Sequence, residues 1–319
     1  MRIVFAGTPE PAVVALEALL ESEHEVVGVL TRPDARKGRG RSLASSPVAA
    51  LARERGIEVL TPETLRADSE AGSQVRAWLQ ELAPEAIAVV AYGKLISTDL
   101  LDVARHGWIN LHFSLLPQWR GAAPVQAAIA HGDDITGAST FRIEEGLDTG
   151  DVFGTVTEVI RDDDTADDLL TRLAYSGADL LVATMDGLAD ERLEAQPQSG
   201  EATYAPKISA EQAHIDWSQP DFAIDRHIRA YTPGPGAWTM LGEQRLKIAP
   251  VTLVTAGSDA AALFAKKSLS AGELYVAKND VFVGTATTPV RLGMVQAPGK
   301  KRMDAAAWAR GNQPEGILS

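Results

Sequence analysis

The amino-acid sequence predicts an α/β fold for its first part, a mostly parallel sheet covered by helices on both faces, followed by a smaller β-barrel. Three observations carry this reading. Short β-rich runs alternate with helical patterns as far as residue 188. The stretch from Ala189 to Ile208 is polar, proline-bearing and aperiodic. Beyond it, short apolar runs alternate with turn residues.

Taken in order, Ile3 to Phe5 is a first strand, Gly7 a turn, and Thr8 an N-cap with Pro9 at the first helical position of a helix running to Leu20. Val26 to Leu30 is a second strand. Ser46-Pro47 opens a helix that Gly56 closes. Ile57 to Leu60, Ala86 to Ala91 and Trp108 to Leu111 are further short strands, and a helical pattern from Thr165 to Met185 ends at Gly187. Strands beyond that point are expected at Arg245 to Ile248, Leu274 to Val276, Val281 to Val283 and Val290 to Met294, with helix returning only near Asp304 to Arg310. The expected organisation is therefore a domain over 1–188, a linker over 189–208 and a second domain over 209–319. The sheet is Rossmann-like, but its first turn is Gly7-Thr8-Pro9 and not G-x-G-x-x-G, so no dinucleotide is expected.

The 319 residues are 45% hydrophobic and 23% charged, enough to bury two cores. The absence of cysteine excludes disulfides, thiolate metal sites and a cysteine nucleophile, and suits a reducing compartment. No apolar run at the start reads as a signal peptide, and none elsewhere approaches the roughly 20 residues of a membrane span; a cytoplasmic location without membrane association is expected. The formal charge of −13 argues against a polyanionic partner until its distribution is read. Residues 1 to 208 hold 18 Lys and Arg against 33 Asp and Glu, whereas residues 209 to 319 hold 12 against 10. Inside the acidic part, Arg32, Arg36, Lys37, Arg39 and Arg41 face only Asp34 in one short loop.

The chemistry-bearing residues begin at Asn110-Leu111-His112, at a strand end, where the i, i+2 spacing points both side chains to one face. An amide donor and an imidazole aimed together can stabilise a developing oxyanion and move a proton. On residues alone the pair also fits a capped strand end, and Asp148, between Gly146 and Gly150, fits a turn carboxylate. Ser114-Leu115-Leu116-Pro117 sets apolar side chains beside the pair.

Asn110-Leu-His112-Phe-Ser114-Leu-Leu-Pro117-Gln-Trp119-Arg120-Gly121, with Gly146-Leu-Asp148-Thr-Gly150-Asp151, resembles the folate-dependent formyltransferases, most closely those that use methionyl-tRNA. Phe5-Ala-Gly-Thr-Pro9, Ala91-Tyr92-Gly93, Tyr204 to Ile208 and Pro235-Gly-Ala-Trp238 extend the similarity along the chain. The resemblance implies a catalytic trio of Asn110, His112 and Asp148, and a folate-contacting segment of Ser114, Leu115, Leu116 and Pro117 with a cis Leu116-Pro117 bond. It implies 10-formyltetrahydrofolate as co-substrate, the amino group of initiator methionyl-tRNA as acceptor, no metal and no obligate protein partner. The basic loop would approach the tRNA acceptor end through Arg39 first and Arg41 second, and the C-terminal barrel would be OB-like and bind tRNA, helped by Lys300 to Arg302. In that scheme Asn110 and a cationic His112 donate to the growing oxyanion, and Asp148 raises the imidazole pKa. One departure is Gln118, where such sequences often carry a basic residue. The rival readings are formylation of glycinamide ribonucleotide or an amino-sugar nucleotide, and a pure RNA-binding protein with an inert α/β domain.

Overall fold

The computed structural model describes residues 1–37 and 42–319. Arg39 and Arg41 lie outside these described residues. The chain forms two compact units, one of Met1–Pro124, Ile135–Val159 and Leu170–Ala205, the other of Val125–Asp134, Ile160–Leu169 and Pro206–Ser319.

Along the first part run β1 (Arg2–Gly7), α1 (Glu10–Glu21), β2 (Glu25–Leu30), β3 (Ala35–Lys37), β4 (Ser42–Ala44), α2 (Pro47–Glu54), β5 (Val59–Leu60), α3 (Glu70–Leu82), β6 (Ala86–Val90) and β7 (Trp108–His112). β8 (Arg120–Gly121), α4 (Pro124–His131), β9 (Ile135–Arg142), β10 (Val152–Val159), α5 (Ala166–Ala189) and β11 (Tyr204–Ala205) follow. The main sheet has seven strands in the order β10-β9-β7-β6-β1-β2-β5. Its β5, β2, β1, β6 and β7 are mutually parallel, while β9 and β10 run antiparallel to their neighbours. β1 and β6 read as continuous apolar runs because every residue from Ile3 to Ala6 and from Ala86 to Val90 is buried, as strands covered on both faces require. No helix among the described residues is long and apolar enough to cross a membrane.

The second unit adds α6 (Asp221–Ala230), β12 (Trp238–Leu241), β13 (Gln244–Ile248), β14 (Thr252–Leu253), α7 (Asp259–Phe264), β15 (Leu274–Val276), β16 (Val281–Val283), β17 (Val290–Arg291), β18 (Met294–Gln296), β19 (Met303–Asp304) and α8 (Ala305–Asn312). Two antiparallel four-stranded sheets, β12-β13-β18-β19 and β14-β17-β16-β15, enclose a core that includes Trp217, Ile224, Ile228, Leu246, Val283 and Trp308.

Several expectations are corrected. The N-cap of α1 is Pro9, not Thr8, whose hydroxyl donates instead to the Tyr92 carbonyl at 3.0 Å. The flanks of the basic loop pair as the hairpin β3–β4. α5 continues through Gly187 to Ala189, and β9 was not foreseen because its Thr136-Gly-Ala-Ser-Thr140 run is small and polar although buried. Helix also returns earlier than Asp304: α6 carries an apolar stripe as short as Ile224 and Ile228, too little for periodicity to register. Part of the stretch read as linker is built into the first unit, where Val152 and Gln196 exchange backbone hydrogen bonds at 2.8 Å and β11 lies parallel to β8.

Candidate active site

The candidate site is assembled at the carboxyl ends of the parallel strands, where open sheets of this type receive ligands. β7 sits between β6 and β9 and ends at His112. Its alternation turns Asn110 and His112 to one face, with Asn110 half-buried and His112 only 6% exposed. His112 meets Phe141 of β9 edge-on, with ring centroids 6.3 Å apart. Its Nε2 is 2.9 Å from the Trp119 carbonyl, which can only accept, so Nε2 carries the proton and Nδ1 of a neutral ring holds the lone pair. Nδ1 faces Asp148 Oδ2 at 3.8 Å. That carboxylate oxygen in turn accepts from the Gly121 amide at 2.7 Å.

Burial pushes the His112 imidazole below the usual histidine range, against the upward pulls of Asp148 and the Trp119 carbonyl. The expectation of a cationic His112 is thereby corrected: removing the ring from water outweighs an acid 3.8 Å away that is itself bonded elsewhere. The resting ring is neutral, with Nδ1 free to take a proton.

Ser114 is fully buried and its hydroxyl donates to the Gln118 carbonyl at 2.5 Å, while Ser139 donates to the Ser114 carbonyl at 2.7 Å. Ser114 therefore shapes the loop, and the half-exposed Leu115 and Leu116 are its free apolar surface. The Leu116-Pro117 bond is cis. Gln118 is exposed. Three non-glycine residues around the site hold positive φ, Ala91 at 46°, Trp119 at 57° and Asp148 at 50°. Such backbone costs about 1–3 kcal/mol per residue and persists where packing imposes it.

What holds two of them, Trp119 and the Asp148 turn, was missed by sequence reasoning. Gln198 Nε2 donates to the carbonyls of Asp148 and Gly150, both at 2.8 Å, and its Oε1 accepts from Arg120. Trp119 N donates to the Thr203 hydroxyl at 2.9 Å. Residues 198–205 thus strap the Asp148 turn to the Trp119-Arg120-Gly121 segment, and nothing in a polar aperiodic stretch signals this. Also unforeseen is a cleft of about 560 Å³ lined by Leu101, Ala104, Arg105, His106, Arg142 and Ile143 among others. Leu101, Ala104 and Ile143 belong to the same apolar cluster as Tyr92, whose buried hydroxyl has no hydrogen-bond partner among the described residues.

Residues 1–185 match the formyl transferase family and residues 207–313 its C-terminal domain. A methionyl-tRNA formyltransferase of Corynebacterium aurimucosum is 66% identical over 98% of this chain and 94% of its own length. The chain belongs to the methionyl-tRNA formyltransferase family. A second such enzyme, from Corynebacterium glutamicum strain R, is 61% identical over 98% of both chains. Among solved structures, a methionyl-tRNA formyltransferase from Clostridium thermocellum covers 81% of this formyltransferase at a TM-score of 0.57 and 20% identity, and is itself 95% covered. The sugar 3N-formyl transferase WlaRD gives 0.67 at 18% identity, covering 94% of this chain and 99% of its own. At these identities the structural likenesses speak for the fold.

Proposed function

We propose that this formyltransferase moves the formyl group of 10-formyltetrahydrofolate to the amino group of initiator methionyl-tRNA in the cytoplasm. Residues 1–188 would be the catalytic domain and 209–319 the tRNA-binding domain. The observation that carries the chemistry is His112 Nδ1 facing Asp148 at 3.8 Å on the face shared with Asn110.

The residues present fit a folate. Leu115 and Leu116 offer apolar surface, the cleft beside Leu101 and Ile143 is in the range of small-molecule sites, and the Tyr92 hydroxyl is a buried donor in the adjoining cluster. When bound, the folate supplies the formyl carbon. Asn110 directs its amide N–H groups to the formyl oxygen, where negative charge grows as the amine attacks. His112 Nδ1 takes the proton that the attacking amine loses, and Asp148 stabilises the imidazolium so formed. His112 then returns that proton to the departing nitrogen, ending neutral. Ser114 and Pro117 fix the loop that bears the two leucines. Arg39 and Arg41 are proposed RNA contacts.

The test is 10-formyltetrahydrofolate-dependent formylation of Met-tRNA, beside uncharged tRNA, elongator Met-tRNA and an amino-sugar nucleotide. Formylation of the initiator alone is expected. Preference for the sugar nucleotide would overturn the reading.

A further inference from the structure

Asp148 is held at two points, and both lead to neighbouring residues of β8. Its side-chain Oδ2 accepts from the Gly121 amide at 2.7 Å. Its main-chain carbonyl accepts from Gln198 Nε2 at 2.8 Å, and the same Nε2 donates to the Gly150 carbonyl. Gln198 Oε1 in turn accepts from Arg120 Nη2 at 2.7 Å and from Nε at 3.2 Å. Since Arg120 and Gly121 are consecutive, these bonds close a ring that runs from the Asp148 carboxylate through Gly121, Arg120 and Gln198 back to the Asp148 carbonyl. All of it lies within the first unit.

The polarity of the ring is dictated at each joint. A carbonyl only accepts and a guanidinium only donates, so the Gln198 amide fits one way round, with Nε2 toward the turn and Oε1 toward Arg120. Turned over, it would set its oxygen against two carbonyl oxygens and its NH2 against a cation. The charge-assisted bond at Oε1 also polarises the amide and strengthens the two bonds that Nε2 donates. What the ring fixes is the carboxylate. Asp148 sits at a φ of 50°, a backbone that its surroundings must impose. Its Oδ2 stands 3.8 Å from His112 Nδ1, beyond a hydrogen bond to the lone pair of the neutral ring and near enough to meet the imidazolium once that nitrogen is protonated.

We infer that Arg120 is a positioning residue for formyl transfer: by fixing the orientation of the Gln198 amide it clamps the Asp148 turn and keeps the carboxylate aimed at His112 Nδ1. This rests on the roles given to Asp148 and His112 above. Among the described residues Asp148 is the charge that acts on the His112 ring, and Arg120 exerts no pull of its own there. Loss of Arg120 therefore reaches the ring through a displaced carboxylate. Because the pull of Asp148 is upward, a loosened carboxylate lets His112 titrate at lower pH.

The experiment compares wild type, Arg120→Met, Arg120→Lys, Asp148→Asn and the double variant Arg120→Met with Asp148→Asn. Each is assayed for 10-formyltetrahydrofolate-dependent formylation of Met-tRNA across pH. The His112 imidazole of each is also titrated by NMR without substrate, its resonance assigned by its loss in His112→Ala. Arg120→Met should lower kcat about tenfold, within the range that misplacing a catalytic group produces, and leave KM for folate and for Met-tRNA unchanged. It should move the His112 titration and the acid limb of kcat/KM to lower pH. Arg120→Lys, which keeps the charge but not the fork, should fall between. On top of Asp148→Asn, Arg120→Met should cost little further rate and move His112 no further. A lower Tm with kcat and the His112 titration unchanged would make Arg120 structural only. Additive losses with Asp148→Asn would mean that it does not act through Asp148, and a rise confined to KM for Met-tRNA would make it an RNA contact. Any of these three overturns the inference. Because the titration uses no substrate, failure of the wild type to formylate Met-tRNA would overturn the acceptor reading alone.

Discussion

At the scale of single residues, Asn110 and His112 show how a strand's two-residue period becomes chemistry. Asn110→Ala and His112→Ala should each lower kcat by roughly a hundredfold or more, with folate binding little changed, because each removes a group engaged mainly in the transition state. Near-wild-type turnover by either variant would remove that residue from the mechanism. Asp148→Asn should lower the plateau of kcat/KM at every pH, since the imidazolium formed during proton transfer loses its partner. It should also move the acid limb to lower pH, because the Asp148 charge is an upward pull on a ring already depressed by burial. A limb that stayed in place, or moved to higher pH, would show Asp148 to be structural. Tyr92→Phe removes a buried hydroxyl that has no partner among the described residues, so the folate-free protein should melt at the same temperature or higher. A clear fall in Tm would mean that the hydroxyl has a structural partner.

At the scale of elements, the β8–β11 strap couples the chain after the expected catalytic strand to the turn that carries Asp148. Gly121 is its tightest point, with φ of 120° and an added Cβ falling 2.6 Å from the Ala205 carbonyl oxygen. Gln198 fixes both carbonyls flanking the Asp148 turn with one amide. Gln198→Ala removes these two bonds and the two that its Oε1 accepts from Arg120, and should therefore cut kcat by about tenfold while costing about 2–4 kcal/mol of stability. Equal losses of Tm and activity in urea-denaturation and single-turnover assays, with Gln198→Glu no better, would argue against a positioning role. The strap was illegible in the sequence because its partners are backbone carbonyls and amides 48 to 84 residues away. The strands β1, β2, β6 and β7, by contrast, were legible, since burial on both faces leaves an unmistakable apolar run.

At the scale of the whole molecule, charge and protonation set the conditions of use. KM for tRNA should climb steeply with salt while folate binding, held mainly by apolar surface, responds weakly; equal slopes would deny the phosphate contacts. Lys300, Lys301 and Arg302 are all exposed and available for that role. Burial holds His24, His112 and His227 below the usual histidine range. Each binds its proton more readily in the unfolded chain, so the stability they confer is complete above the unfolded value of about 6.5 and is lost as pH falls below it. Asp225, raised by burial, acts in the opposite sense in a more acid window. Calorimetry should thus show Tm falling between about pH 7.5 and 5.5; a flat or rising Tm would contradict the burial of these rings.

The sequence by itself determined the α/β class, the order of the parallel strands' apolar runs and the family, and it singled out Asn110, His112 and Asp148 as the candidate trio, because periodicity and motif are properties of neighbours along the chain. It determined less of the second unit, where α6 shows too few apolar residues to announce itself. Only the tertiary structure decided that His112 rests neutral with its proton on Nε2, since desolvation depends on everything packed around the ring and the tautomer on one carbonyl seven residues away. It alone decided that Ser114 is spent on its own loop, that residues 198–205 belong to the site, and that Arg120 closes a ring through Gln198 to Asp148. Hydrogen-bond partners and burial are set by distances in space, which spacing along the chain does not encode.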